Sequence, residues 1–135
     1  MTNKSKCVIK NQRRPVEHNL VVDLDGSVKY SAGWQISVPS VGGVYIIHDL
    51  RGSLYAGRSN NLRRRFDEHR SNFEENVMLR RMLTQPMGHM RYSWIEVEGE
   101  EQKSMERRLI RALNPLCNHL LVIADRASIK TKGEI

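Results

Sequence analysis

The chain has few cysteines and no long apolar run. Cys7 and Cys117 are its two cysteines among 135 residues, and neither belongs to a CxxC pair. A Cys/His zinc site is not expected, because neither cysteine has a second ligand at the spacing of a zinc finger. One disulfide between the two is the alternative, but a reducing compartment favours two free thiols, which we expect.

Membrane and secretory segments are also missing. No apolar stretch approaches the roughly 18 residues that a membrane-spanning helix needs, and the polar start of the chain lacks the apolar core of a secretory signal. We therefore expect a cytoplasmic protein with no membrane partner. A length of 135 residues with 39% hydrophobic content fits one compact domain.

Positive charge dominates what is present. Lysine and arginine total 22 against 15 aspartate and glutamate residues, a net charge of +7, and most of the cations are arginine. Guanidinium groups bind phosphate through two parallel hydrogen bonds. The balance favours a polyanionic partner, nucleic acid before a membrane surface, over the alternative of a merely soluble basic surface.

Periodicity and turn signals predict an α+β fold with a small, mainly antiparallel three-stranded sheet flanked by helices. We expect a loose arm to about residue 18, and then a hairpin in which Asp25-Gly26 joins strands 20–24 and 27–30. The remaining expected elements are strands 43–48, 54–57 and 90–97, a helix 60–70 capped by Ser59 or Asn60, a helix from Asn72 to before Pro86 with Glu75 in a capping box, and a helix 101–113.

Two polar residues interrupt the apolar faces of the first and last helices. Arg65 lies beside the apolar face of helix 60–70 and has no carboxylate four residues on, whereas Arg63 and Arg64 are expected to pair with Asp67 and Glu68. Glu106 falls near the middle of the apolar arc of helix 101–113. A carboxylate there must be neutralised, paired or bound to a metal, so a structural Glu106–Arg65 ion pair is one interpretation.

A pair of tyrosines is the third anomaly. In a hairpin that turns near Asp49 to Gly52, Tyr45 and Tyr55 could lie opposite each other on one face. Cross-strand aromatic pairs usually only pack, so these two residues by themselves indicate nothing beyond a core.

The order and spacing of these residues resemble the GIY-YIG nuclease family of homing, repair, restriction and phage endonucleases. The resemblance covers about residues 41–120. It rests on Gly43-Val44-Tyr45, Tyr55-Ala56-Gly57, the helix segment Asn61-Leu62-Arg-Arg-Arg65-Phe-Asp-Glu-His69, and the spacing from Glu106 to Asn118. The domains expected are an arm and hairpin at 1–40, a catalytic domain at 41–124 and a tail at 125–135.

The resemblance implies a metal-dependent DNA endonuclease that hydrolyses phosphodiester bonds. Its catalytic residues would be Tyr45, Tyr55, Arg65, His69 and Glu106. One divalent ion, Mg²⁺ or Mn²⁺, would be held by Glu106. The residues expected to bind substrate are Arg58, Arg63 and Asn118, and Asn118 would also support the site. Gly57 would let the backbone turn into the helix.

Three departures from the family pattern affect these roles. Val44 and Ala56 replace isoleucines, and the smaller Ala56 would loosen packing beneath Tyr55. Arg58 occupies a position often held by lysine. Because arginine hardly deprotonates, Arg58 should bind phosphate, and proton removal then falls to Tyr45 with help from His69.

Other functions remain open from the sequence. A DNA-binding module with a dead site would keep the basic surface, an RNA-directed nuclease could use the same chemistry, and a purely structural protein is the third alternative. We also expect a homodimer or larger assembly, because the methionine-rich helix at 72–85 carries much apolar surface and a double-strand break needs two cuts.

Overall fold

The computed structural model describes residues 5–9, 20–71 and 74–118. The strands are β1 (Ser5–Ile9), β2 (Leu20–Leu24), β3 (Gly26–Lys29), β4 (Gly43–Asp49), β5 (Gly52–Ser59) and β6 (Arg91–Glu96). The helices are α1 (Leu62–Arg70), α2 (Val77–Thr84) and α3 (Glu101–Leu113), and a 3₁₀ turn covers Trp34–Ser37.

The main sheet has the strand order β3-β6-β4-β5, and all of its pairs are antiparallel. The predicted α+β class, with an antiparallel sheet flanked by helices, is confirmed. The sheet has four strands where three were expected, since β3 joins its edge beside β6. At the other edge lies β5, whose free side faces away from the other three strands.

The expected hairpin around Asp25-Gly26 is wrong. β2 pairs with β1, and β3 pairs with β6, so the chain passes from one sheet to the other at these two residues. Two backbone contacts hold this crossing: Asp25 N donates to Trp94 O, and the Asp25 carboxylate accepts from Glu96 N. Gly26 is needed there because a Cβ would lie 2.1 Å from the Trp94 ring. The Asp25-Gly26 signal reports only on the local backbone, whereas the strands that pair with β2 and β3 lie elsewhere in the sequence.

The N-terminal arm is not loose throughout, since Ser5–Ile9 forms β1 against β2. The other residues of the predicted arm, and the whole of the predicted tail at 125–135, lie outside the described residues.

Side chains alternate between two buried faces of the sheet. One face carries an aromatic core with Tyr45, Tyr92 and Phe66, against which α1 and α2 pack. The other face carries a smaller aliphatic core with Val44 and Leu109, and α3 covers it. Because both faces are covered, β4 is buried from Gly43 to Ile47.

Asparagine side chains fix the starts of two helices. Asn61 caps α1 by accepting from Arg64 N, one or two residues later than predicted. Asn76 caps α2 by accepting from Leu79 N, so the predicted start at Asn72 with a Glu75 capping box is wrong. α3 spans the predicted residues.

Most of the apolar side chains of the α2 region pack inside the domain. Leu79 and Met90 are buried, and Met78, Met82 and Leu83 lie against the same core. Among the residues that suggested an interface, Val77 and Met87 stay about half exposed. The apolar surface that the sequence indicated is therefore largely core. Helices in the described part of the chain are all too short or too polar to cross a membrane, and Cys117 is a buried free thiol.

Candidate active site

Tyr45 lies in the middle of β4 and is 1% exposed. Its hydroxyl oxygen is 2.6 Å from His69 Nε2 and accepts a hydrogen bond from Arg65 Nε at 3.2 Å. Arg65 and His69, one helical turn apart, thus meet Tyr45, which precedes them by 20 and 24 residues, at one atom. A strand and a helix supply them, since β4 carries the tyrosine and α1 carries the other two.

The sequence suggested that Arg65 has no carboxylate partner, but the structure gives it one, Glu68. The Arg65 Nη1 lies 3.6 Å from Glu68 Oε2, and Arg64 shares that carboxylate at 3.2 Å. Residues three apart on a helix face each other as residues four apart do, so Glu68 reaches Arg65 from the next turn. The Arg65 side chain remains about a third exposed, so its guanidinium contacts the buried tyrosine while remaining accessible to solvent.

His69 is 1% exposed and has a partner on each ring nitrogen. Nδ1 lies 2.6 Å from Glu74 Oε2, and Nε2 faces Tyr45. The second oxygen of Glu74 accepts from Asn76 N at 3.2 Å, which anchors the carboxylate to the start of α2. The three side chains form a continuous hydrogen-bonded row from the interior of the sheet to the loop before α2.

Burial and neighbouring charge give this row a defined protonation. Burial lowers the pKa of His69, and although the hydrogen bond that His69 donates to Glu74 opposes this, the imidazole is neutral at pH 7. Burial would raise the pKa of Glu74, but the hydrogen bond that it accepts from His69 lowers it, so the carboxylate is ionised. Burial raises the pKa of Tyr45 well above its usual value, against the lowering effect of Arg65.

Tyr55 lies on the same face of the sheet as Tyr45 but not opposite it. Tyr45 pairs with Gly57 and Tyr55 pairs with Ile47, because the register shifts at a bulge between Ile47 and His48. The two tyrosine rings are 6.1 Å apart, and Tyr55 also lies edge-on to His69 with ring centroids 5.1 Å apart. Tyr55 is only partly buried, so its ring forms the rim of the site.

Glu106 pairs with Arg58, and the Glu106–Arg65 ion pair considered from the sequence is not formed. The Arg58 Nε lies 3.7 Å from Glu106 Oε1, and the Glu106 side chain is 25% exposed. Burial raises the pKa of Glu106, while the charge and backbone N–H of Arg58 oppose that rise. Groups of three or more His, Cys, Asp or Glu suited to a metal are absent among residues 5–9, 20–71 and 74–118.

The predicted residues form two groups on either side of the edge strand β5. Tyr45 and its hydrogen-bonded row lie on the aromatic face, and Glu106 with Arg58 lies on the face covered by α3. Tyr55 lies on β5 three residues before Arg58. Burial raises the pKa of Tyr55, while Arg65 lowers it and Glu106 raises it. Because Tyr55 and Arg58 lie on the same edge strand, a single polyanion along β5 could contact both groups.

Two expected substrate contacts are occupied by the protein itself. Arg63 Nε donates to Val38 O at 2.7 Å rather than pairing with Asp67, and its Nη2 donates to Ile36 O. The Asn118 amide accepts from Ala56 N at 2.7 Å and donates to Ala56 O at 2.9 Å. Asn118 thus binds the free edge of β5 as a neighbouring strand would, and Arg63 anchors the 3₁₀ segment.

Comparison with known proteins identifies the arrangement. A family model described as the GIY-YIG catalytic domain matches residues 41–120, more than half of the chain. The chain belongs to the GIY-YIG family. The GIY-YIG domain is a nuclease domain, and this protein is accordingly an endonuclease of that type.

Solved structures show the same fold. The GIY-YIG N-terminal endonuclease domain of UvrC from Thermotoga maritima, bound to its catalytic divalent cation magnesium, is 22% identical with a TM-score of 0.51. That alignment covers 62% of this chain and 90% of the other. A point mutant of the same domain, also bound to its cation, aligns at 23% identity with the same TM-score over 62% of this chain and 88% of the other. No curated protein matches the chain significantly.

The departures from the GIY-YIG pattern have structural consequences other than those expected. Ala56 is buried in the aliphatic core, on the opposite face from Tyr55, so it does not lie beneath that ring. Gly57 has no positive φ and lies within β5, so it does not serve to turn the backbone. Because Gly57 has no side chain, it leaves room for Tyr45, which lies directly opposite on β4.

Sequence reasoning missed two features of the GIY-YIG site. Glu74 follows the end of α1, outside any helical or strand period, and its neighbour Glu75 had been assigned a capping role. The other feature is a basic groove of about 670 Å³ between α3 and β5. Its lining is Arg58, Gly99, Glu100, Lys103, Ser104, Arg107, Arg108 and Arg111. The alternation of cations along α3 could have revealed it.

Proposed function

We propose that this GIY-YIG domain is a divalent-metal-dependent DNA endonuclease that hydrolyses phosphodiester bonds with Tyr45 as general base. The observation that carries the proposal is the Tyr45 hydroxyl, which contacts His69 Nε2 at 2.6 Å and Arg65 Nε at 3.2 Å. A phenol with a cation on one side and a neutral imidazole on the other has both a charge partner and a proton acceptor. Ordinary core tyrosines need only one hydrogen-bond partner.

The single carboxylate of Glu106 fits a magnesium site. Mg²⁺ takes oxygen ligands and keeps several waters, so it is often bound through one or two carboxylates together with substrate phosphate. Glu106 is partly exposed, and its ion pair with the Arg58 side chain is 3.7 Å long, a distance too long for a strong ion pair. When bound, the ion supplies Lewis-acid polarisation of the phosphate. Binding of magnesium by the Thermotoga maritima UvrC domain is consistent with this assignment.

The chain's own residues account for the remaining chemistry. Tyr45 removes a proton from the attacking water as its own proton passes to His69. Arg65, already at the Tyr45 oxygen, stabilises negative charge on that oxygen and on the reacting phosphate. Arg58 cannot act as a base and binds phosphate beside Glu106. Tyr55, at the rim, contacts the phosphodiester between the two groups.

The basic groove supports nucleic acid as the substrate. Five of its eight lining residues are lysine or arginine, and it begins at Arg58, next to Glu106. Cations spaced along an exposed helix match the phosphates of a nucleic-acid backbone, and such contacts provide affinity without sequence selection. DNA is the proposed substrate, and RNA is the alternative that the same contacts would accept.

A plasmid assay tests the proposal. Supercoiled plasmid is incubated with the protein in Mg²⁺, in Mn²⁺ and in EDTA, and a structured RNA of similar length is treated in parallel. Metal-dependent conversion of plasmid to nicked or linear forms, with the RNA intact, supports a DNA endonuclease. Retarded mobility without cleavage in any metal would instead indicate a DNA-binding module with a dead site.

We further propose that the enzyme acts as a homodimer or larger symmetric assembly. One site cuts one strand, and two antiparallel strands are presented with two-fold symmetry, so a two-fold assembly can cut both. This proposal is supported by that geometry rather than by the apolar residues of α2, most of which pack against the core.

A further inference from the structure

A buried row of three side chains extends beyond the tyrosine that we propose as base. From the sheet outward it consists of Tyr45, His69 and Glu74, joined by two contacts of 2.6 Å each. All three are at least nine-tenths buried. A carboxylate is costly to bury, so a carboxylate held against an imidazole in the interior needs a reason beyond packing.

Geometry fixes the role of each nitrogen of the imidazole. An ionised carboxylate accepts hydrogen bonds and donates none, so Nδ1 must carry the proton that faces Glu74 Oε2. In a neutral ring, Nε2 then has a free lone pair, which faces the Tyr45 hydroxyl. The Tyr45 proton consequently points at His69, and its oxygen lone pairs are left for Arg65 and a water.

We propose that Glu74 is the positioning residue of this site, holding His69 in the Nδ1–H tautomer so that Nε2 accepts the Tyr45 proton. The inference rests on the proposed function of Tyr45 as base. The same division of roles, in which a carboxylate orients the imidazole that deprotonates a hydroxyl, operates in serine hydrolases.

The proton transfers in this arrangement balance. The water oxygen forms a bond to phosphorus while the bond from phosphorus to the leaving oxygen breaks. One proton moves from that water to the Tyr45 oxygen, and the phenol proton moves to His69 Nε2. The resulting imidazolium is stabilised by Glu74, and it later releases its proton to solvent, from which the leaving oxygen takes one.

Several other charged or titratable groups face His69, and they set the background for any pH effect. Tyr55 of β5 contacts the ring edge, and Arg65 and Glu68 of α1 act through their charges. Tyr30 and two further arginines line the same cavity beside it. The groups are Tyr30, Tyr45, Tyr55, Arg65, Glu68, Arg70, Glu74 and Arg80. Of these, Glu74 alone is hydrogen-bonded to Nδ1.

The first test reads the tautomer directly and needs no substrate. The full chain is labelled with ¹⁵N-histidine, and the His69 signals are assigned by their loss in His69→Gln. We expect a protonated Nδ1 and an unprotonated Nε2 in the parent protein. In Glu74→Gln, whose amide can either accept or donate, we expect a mixture of both tautomers. An Nε2–H tautomer in the parent would overturn the proposal.

The second test is kinetic. Glu74→Gln should lower kcat on the order of 10²-fold with little change in KM. The acid limb of its pH–rate profile should move to lower pH, because Glu74 raises the pKa of His69 and the variant lacks that effect. The adjacent, exposed Glu75 provides the matched control, Glu75→Gln, which should keep parental kcat and pH profile. Glu74→Asp should recover part of the rate.

The outcomes separate this inference from the proposed function. If Glu74→Gln keeps the parental kcat and pH profile while the parent cleaves DNA, Glu74 only anchors the loop through Asn76, and the inference fails. If the parent cleaves nothing, the function of Tyr45 as base fails, and the tautomer measurement still decides whether Glu74 orients His69. Thermal denaturation of Glu74→Gln and Glu74→Asp checks that a lower rate in either variant does not reflect unfolding.

Discussion

Gly57 lies directly across the β4–β5 pair from Tyr45, and a Cβ at Gly57 would be 2.5 Å from the Tyr45 hydroxyl oxygen. The same Cβ would lie 2.9 Å from the Tyr55 ring. The glycine thus provides the space in which the two tyrosines approach each other. It controls where the reactive oxygen lies without touching substrate itself.

Replacing Gly57 with alanine should therefore displace the Tyr45 hydroxyl from His69 and Arg65. We expect Gly57→Ala to lower cleavage by about 10²-fold, because displacements near 1 Å have such effects at reacting groups. Overpacking should lower the free energy of unfolding by about 1–3 kcal/mol. Plasmid nicking and urea denaturation measure the two effects, and parental activity in a folded variant would contradict the expected displacement.

Glu106→Gln should abolish metal-dependent cleavage while DNA affinity stays near the parental value. The amide keeps the shape of the carboxylate but loses the charge that holds the ion. Because the Arg58–Glu106 pair is long and partly exposed, its loss should change stability by only about 0–1 kcal/mol. Glu98→Gln, at an exposed residue, is the control. Cleavage at the parental rate by Glu106→Gln would show that the metal binds elsewhere.

Arg65→Ala should reduce cleavage much more than Arg64→Ala does, on the order of 10²-fold for loss of one preorganised cation. Arg64 is the appropriate control because both arginines share Glu68 but only Arg65 contacts Tyr45. Arg63→Ala should instead destabilise the fold, since Arg63 binds the carbonyls of Val38 and Ile36. Equal losses of activity in folded Arg64→Ala and Arg65→Ala would mean that Arg65 contributes only general electrostatic attraction to the nucleic acid.

The helices and their anomalous residues could be predicted because a helix repeats within a short window. Arg65 and Glu106 were found in that way, and the span of α3 was predicted correctly. The N-terminal hairpin was not predicted correctly, because the packing of Gly26 against Trp94 involves residues distant in sequence.

Parts of the site also lie outside any regular period. Glu74 could not be found from periodicity, since it lies five residues after His69, beyond the end of α1. The bulge at Ile47 changed the register of the tyrosines in a way that no spacing reveals.

The basic groove gives a prediction about salt. Lys103, Arg107 and Arg111 are expected to bind phosphates. Neutralising two of them should make the plot of log affinity against log salt concentration less steep. The slope should fall by about 0.9 for each duplex DNA phosphate that loses its cation. Lys103→Gln with Arg111→Gln is the test variant. Arg80→Gln with Arg81→Gln, on α2, removes the same charge outside the groove. Equal changes of slope in both double variants would mean that the whole surface, not the groove, binds DNA.

The last prediction concerns acid stability and a histidine outside the site. His48 Nε2 lies 2.7 Å from Ser93 Oγ, and burial, with help from the charge of Arg91, lowers the pKa of His48 to about 4. The unfolded chain binds this proton near pH 6.5, so below that pH the unfolded state binds more protons than the folded one. Stability should therefore fall as the pH drops from about 6.5 towards 4, and the His48 contribution should level off below its folded pKa. Between pH 7 and pH 5 the decrease due to His48 amounts to about 2 kcal/mol. Urea denaturation at the two pH values should show a smaller decrease in His48→Gln than in the parent, while His69, present in both proteins, contributes equally. An identical pH dependence in the two proteins would show that His48 is not held neutral by the fold.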